Sequence, residues 1–173
     1  MAASETQVAP TLAPTLAQAA LGVVEAIFVA SAASIPMTSL QQVLAVAGQG
    51  LEGDRYAKGA GYHSANPGNG RHMTLIDAAD LEAIEAESGA LIRPIETRRN
   101  LVVRGARLLD LVGKRFWVGE ALCEAMRECV PCAYLEGLTR PGVLKALVGR
   151  GGLRVEIREG GLIRLGDPIR LAD

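Results

Sequence analysis

Four short segments hold the side chains best suited to chemistry. Cys129-Val130-Pro131-Cys132 spaces two thiols so that they can share a metal, close a disulfide or divide redox work, and a cysteine binds a soft metal as its thiolate. The same two residues can also simply pack in a core. A structural zinc centre there would need two more ligands, and Cys123, His63 and His72 are what the chain has left to supply them. Arg98-Arg99-Asn100 sets two planar guanidiniums and a carboxamide side by side, a combination suited to phosphate or carboxylate. If the segment opens a strand, the two arginines face opposite ways, one into a cleft and one into solvent. The run from Gly50 to Arg55, with Gly53, Asp54 and Arg55 at its end, can bring backbone N–H groups and a guanidinium to an anion. Arg150-Gly151-Gly152 can form a nest that a phosphate approaches closely, or can merely lead into a hairpin.

The chain that must position these groups has 173 residues, enough for one domain with a real core, since 49% of its residues are hydrophobic. Eighteen basic residues against nineteen acidic ones leave a net charge of −1, so no global positive field is available for a nucleic-acid backbone or an anionic membrane. Neither is expected as a partner, and anion recognition must be local. Fifteen of the eighteen cations are arginines. Coding bias explains most of that surplus, and position alone can single out functional members. No apolar run is long enough to span a membrane, and the first twenty residues lack the cations of a signal or transit peptide. The expectation is a cytoplasmic protein with a loose tail over residues 1–20 and one domain over 21–173. An odd cysteine count argues against a disulfide framework.

Patterning places strands at 22–30, 43–46, 72–76 and 100–104, and a hairpin of 116–119 with 121–126. Asp77 should cap a helix over 78–88 that Gly89 ends. Shorter helical patterns occupy 133–138 and 143–148, and residues 58–71, rich in glycine, form a long irregular loop. From 152 to 171 charged and apolar residues alternate on both sides of Gly160-Gly161, which reads as a terminal hairpin. Many short strands with a few inserted helices point to a β-barrel or a strongly curved sheet rather than a doubly wound α/β fold.

In order, Gly50-Leu51-Glu52-Gly53-Asp54-Arg55, Met73-Thr74-Leu75-Ile76, Arg98-Arg99-Asn100-Leu101-Val102-Val103, Phe116-Trp117-Val118-Gly119, Cys129-Val130-Pro131-Cys132, Arg150-Gly151-Gly152-Leu153 and Gly166-Asp167 resemble the MOSC domain, the C-terminal domain of molybdenum cofactor sulfurases. The resemblance runs from about Gly22 to Leu171 and is closest to single-domain bacterial members. It implies a mainly β fold with inserted helices, a MOSC-type closed or nearly closed β-barrel, that binds the molybdenum cofactor (molybdopterin) or handles sulfur for it. In the family's oxidoreductase branch a cysteine thiolate ligates molybdenum while basic side chains hold the pterin and its phosphate. Carried over by motif, Cys132 is the first choice for that cysteine and Cys129 the second. Arg98, Arg99 and Asn100 would hold the cofactor's anionic and polar edge, with Thr74, Arg150, Asp54 and Arg55 nearby.

The chain carries no aminotransferase-like desulfurase segment, so no pyridoxal phosphate site of its own is expected. Three functions follow. One is a small reductase of N-hydroxylated or N-oxide-like small molecules, fed by a separate electron-donor protein. Another is a sulfur carrier that takes a persulfide on Cys132 or Cys129 from a sulfur donor. The third is a non-catalytic barrel that binds a small anion.

Overall fold

In a computed structural model, the described residues are 19–66 and 68–172. The expected tail lies almost wholly outside them. The chain forms strands β1 (Gly22–Val29), β2 (Thr38–Leu40), β3 (Gln42–Val46), β4 (Gly50–Leu51) and β5 (Met73–Asp77), then helix α1 (Ala78–Ser88). A 3-10 turn (Pro94–Thr97) leads to β6 (Leu101–Arg104), and a second (Leu108–Leu111) to β7 (Arg115–Val118) and β8 (Ala121–Glu128). Short helices α2 (Ala133–Leu138) and α3 (Val143–Ala146) precede β9 (Leu153–Glu159), β10 (Gly161–Arg164) and β11 (Pro168–Leu171).

Seven strands close on themselves in the order β11-β7-β8-β9-β5-β6-β1, because β1 pairs with both β6 and β11. The fold is therefore a mainly β closed barrel. β2 extends it from β1, and β10, β3 and β4 form a separate three-stranded sheet. Strand alternation fills two cores. Met73, Leu75, Leu101, Val103, Phe116, Cys123, Val155 and Ile157 point into the barrel. Ile76 and Val102 point outward, where α1, α2 and α3 cover them with Leu81, Ile84, Leu135, Val143 and Leu147.

Two features depart from the expected pattern. The terminal hairpin does not form: β9 pairs with β8 and β5, whereas β10 crosses to β3, with Leu162 opposite Leu44. The alternation correctly marks which side chains turn inward, but it carries no information about which strand lies alongside. Gly160 permits the crossing, since a Cβ there would stand 2.8 Å from the Ala45 carbonyl oxygen. Second, β5 and β6 are parallel, Leu75 beside Leu101, and α1 forms the crossover between them. Both strands are nearly continuous buried runs, as a parallel pair covered on both faces requires. Helix α1 keeps its expected limits: the Asp77 carboxylate accepts from the Ala79 N–H at 3.0 Å, and Gly89 closes it at φ 69°.

Candidate functional site

The outward edge of β5 and β6, the turn after β8 and the turn before β9 meet beneath α2. Arg99 ties them together. It is buried, and its guanidinium donates Nε to the Gly151 carbonyl (2.7 Å), Nη1 to that of Thr97 (3.0 Å) and Nη2 to that of Cys129 (2.9 Å). All three nitrogens of its fork donate to the backbone, so Arg99 sets the cysteine turn, and one N–H on each Nη is left beyond those three bonds. The Cys129 N–H continues the ladder to the Gly152 carbonyl at 2.7 Å.

A second internal network lies beside it. Asn100 is 2% exposed and donates Nδ2 to the Phe28 carbonyl and to Asp54 Oδ2, each at 3.1 Å, while its Oδ1 accepts from the Thr74 hydroxyl and N–H. Asp54, fully buried, also accepts from the Ala30 and Tyr56 N–H groups and pairs with Arg55 Nη1 at 3.1 Å. Arg55 Nη2 in turn donates to the Arg98 carbonyl at 3.1 Å. Asp54 and Asn100 thus fix the loop between β4 and β5 against β1 and β6; they form the frame of the site.

A small cavity of about 50 Å³ opens onto this frame, lined by Arg55, Tyr56, His63, Thr74, Arg98 and Arg99 on one part of its wall. Cys129, Val130, Cys132, Tyr134, Leu135 and Arg154 complete the lining. The chain therefore brings both thiols of the Cys-x-x-Cys pair, Thr74, Arg55, Arg98 and Arg99 to one place. Arg98 is a cation there with spare capacity. Its left-handed backbone (φ 58°) turns it off the 3-10 helix, Nη1 donates to the Ile35 carbonyl at 2.8 Å, and Nη2 is buried without a partner among the described residues. Burial and the neighbouring Arg55 hold its guanidinium below the ordinary arginine range. The sequence expectation that one of the two arginines faces solvent is replaced by a different division: both line the cavity, Arg99 tied to three backbone carbonyls and Arg98 with a buried nitrogen to spare.

Arg150 lies elsewhere. Its Nη2 pairs with Glu87 of α1 at 2.9 Å, and it borders a separate groove between α1 and α3 instead of the cysteine cavity. The nest reading of Arg150-Gly151-Gly152 gives way to a structural one, in which the glycines permit close backbone approach. Nor do the zinc candidates assemble. Cys123 points into the barrel, and among the described residues no three His, Cys, Asp or Glu side chains gather as ligands.

Residues 58–66 and 68–71 have no regular secondary structure, as expected, and His63 brings this segment to the cavity. Tyr62 stacks on Tyr134 (ring centroids 3.8 Å apart, 10° between planes), His63 meets Tyr62 edge-on at 4.8 Å, and the Ala33 N–H donates to the Ala60 carbonyl at 2.9 Å. The stack is held from below by Tyr134 Oη, which accepts from the Ser34 N–H at 2.8 Å.

The thiols differ in environment. Complete burial pushes Cys123 up to about 12, Cys129 is 1% exposed, and Cys132 is half-buried at the cavity. Iodoacetamide at mildly alkaline pH should therefore label Cys132 first in the native protein, Cys129 more slowly and Cys123 only after unfolding. Timed alkylation with peptide mass spectrometry measures the order, and labelling of Cys123 as fast as Cys132 would contradict this geometry.

A family model described as "MOSC domain" matches residues 63–170. The chain belongs to the MOSC domain family. The YuaD protein of Bacillus subtilis has the same fold, with a TM-score of 0.72 at 19% identity over 87% of this chain and 94% of that one. YiiM of Geobacillus stearothermophilus (TM-score 0.61, 16% identity) covers 88% of this chain and 74% of its own. YiiM of Escherichia coli (TM-score 0.63, 16% identity) covers 87% and 70%. A comparison with curated proteins returned no match. The MOSC domain here also gathers three arginines that sequence reasoning did not single out: Arg154 lines the cysteine cavity, Arg127 opposes Arg154 across the ladder, and Arg71 approaches Arg127 beside Gly68. Their only sequence signal is that Arg154 sits beside the buried Leu153 and Val155. No helix among the described residues is long and apolar enough to cross a membrane.

Proposed function

We propose that this MOSC domain binds the molybdenum cofactor with the Cys132 thiolate as the protein's ligand to the metal, and that the loaded protein reduces N-hydroxylated or N-oxide-like small molecules. The observation that carries the reading is the meeting of a reachable thiol with a buried, unpartnered guanidinium nitrogen: Cys132 and Arg98 line one cavity. A thiolate is the soft donor that a sulfur-ligated metal accepts, and a free N–H of a guanidinium suits the anionic edge of a phosphorylated cofactor. The donor set therefore fits the group. Arg98 and Thr74 would hold its polar edge, Arg55 would back them, and Arg99 would keep the cysteine turn in place. The cofactor, when bound, supplies the redox centre.

The cavity of about 50 Å³ is far below the roughly 300 Å³ or more of an ordinary cofactor pocket. Loading would therefore require the cavity to widen at the wall that His63 and Tyr134 form. Overall, an N–OH group takes two electrons from a separate donor protein and two protons from water, giving N–H and releasing water. Burial, with Arg71 and Arg154 adding to it, lowers His63, which keeps the imidazole neutral near pH 7 at the cavity's edge.

Protein purified from a host that makes the cofactor should carry molybdenum in near-stoichiometric amount, and Cys132→Ala should lose it. Metal analysis of the two preparations measures this, and absence of molybdenum from both would overturn the proposal. Cys129 on the same wall supports a second reading, a sulfur carrier. After incubation with a cysteine desulfurase, a carrier gains the mass of one sulfur atom on Cys132 or Cys129 without any molybdenum.

A further inference from the structure

Arg71, Arg127 and Arg154 form a cluster of positive charge without a counter-charge. Arg127 of β8 and Arg154 of β9 are directly opposed in the antiparallel ladder, an arrangement that destabilises a sheet when the charges are alike. Arg71 comes in from the loop. A Cβ built on Gly68 would stand 3.7 Å from Nη2 of Arg71 and 3.8 Å from Nη2 of Arg127, and one built on Gly70 would stand 2.9 Å from the Arg154 Cβ. Gly70 thus lets the loop pack closely on Arg154, and Gly68 lies within contact distance of both the Arg71 and the Arg127 guanidinium.

None of the three is ion-paired among the described residues, although nine other arginines are. The carboxylate of Glu156, two residues along the same face of β9 as Arg154, is already engaged by the Gly70 N–H at 3.2 Å and by Arg158 at 2.9 Å. Arg127 Nε reaches only the Asn69 side-chain oxygen, at 3.3 Å. Arg71 Nε and Nη1 and Arg154 Nε are buried with no hydrogen-bond partner among the described residues. Burying unsatisfied guanidinium nitrogens beside like charges is costly, and a fold that keeps such a group has an anion to put there.

We propose that Arg71, Arg127 and Arg154, with His63 at their edge, form an oxyanion site for a phosphate-monoester or carboxylate group carried by the small-molecule substrate. Arg154 and His63 border the Cys132 cavity directly, so a molecule anchored at the cluster reaches the thiol. The cluster has its own neighbours: Arg98 lies beside Arg55, whereas Arg127 lies opposite Arg154, with Arg71 close by. Two cationic groups at one cavity match two anionic groups, one from the cofactor and one from the substrate. That division of roles rests on the function proposed above; the existence of the anion site does not.

Inorganic phosphate is the probe. It should raise the melting temperature of the wild-type protein in a concentration-dependent way. Arg127→Gln and Arg154→Gln should each weaken phosphate binding about tenfold or more, while Arg107→Gln, on the exposed surface, leaves it unchanged. Because each removes one of two opposed like charges, neither Gln variant should melt below wild type without phosphate, which separates lost binding from lost folding. Failure of phosphate to stabilise the wild type, or equal stabilisation of the Gln variants, overturns the site whether or not the protein carries molybdenum. In molybdenum-loaded protein phosphate should still bind. If loading abolishes that binding, the cluster belongs to the cofactor's own phosphate and the substrate assignment is overturned.

Discussion

Arg99→Met should lower the unfolding free energy by about 3 kcal/mol or more, the largest loss expected for any side chain of the site. The replacement is apolar and of similar length, so packing is partly kept, but three carbonyls lose a charged donor at once: those of Thr97, Cys129 and Gly151. Each buried carbonyl left unpaired costs about 1–3 kcal/mol. Arg99→Lys restores the charge without the fork. A single ammonium cannot reach acceptors on three separate turns with the same geometry, so most of the loss should remain. Urea titration of the three proteins measures the difference. The same variants report on position: with the Cys129 carbonyl released, the cysteine turn loosens, and Cys129 should become reactive toward iodoacetamide under native conditions. Wild-type stability and wild-type cysteine protection in Arg99→Met would show that the guanidinium does not hold the turn.

That prediction depends on a role that residue type alone did not reveal. A guanidinium next to another guanidinium and an amide looks like a ligand-binding set, and for Arg98 the chemistry remains available. For Arg99 three backbone carbonyls come first, and for Asn100 the Phe28 carbonyl and the Asp54 carboxylate take both amide donors. Sequence shows what a side chain can bond to, and burial decides what reaches it.

The features that were legible in the sequence are local ones. Asp77 and Gly89 bracket α1 because a cap acts within a few residues, and the inward alternation of Leu153, Val155 and Ile157 survives whatever strand lies alongside. Non-local facts were not legible. The partner of β10 depends on Gly160 crossing over Ala45, more than a hundred residues earlier in the chain. The parallel register of β5 and β6 left a trace in their continuous apolar runs, but closure of the barrel through β1 and β11 left none. The same limit hid the arginine cluster: Arg71, Arg127 and Arg154 are distant in sequence and look like any others among fifteen. What distinguishes them is the missing carboxylate, which only the folded chain displays.

Gly152→Ala should be the most damaging single methyl group in the molecule, and its neighbour Gly149 provides the control. Both glycines have left-handed backbones, φ 89° and φ 73°. At Gly149 a Cβ meets nothing within 4 Å, so Gly149→Ala should cost only the conformational penalty, about 1–2 kcal/mol. At Gly152 the added carbon would overlap the carbonyl oxygen of Leu75, a backbone atom fixed in the centre of the barrel between β6 and β9. No rotamer relieves that overlap; β9 has to move away from β5. Gly152 also accepts the Cys129 N–H, so the displacement carries the cysteine turn and its Arg99 tether with it. The expected loss exceeds about 4 kcal/mol, enough to leave a marginally stable domain largely unfolded. Soluble yield, circular dichroism and urea midpoints of the two variants measure the contrast. If Gly152→Ala and Gly149→Ala lost stability equally, the close approach of β9 to Leu75 would not be what the glycine is there for.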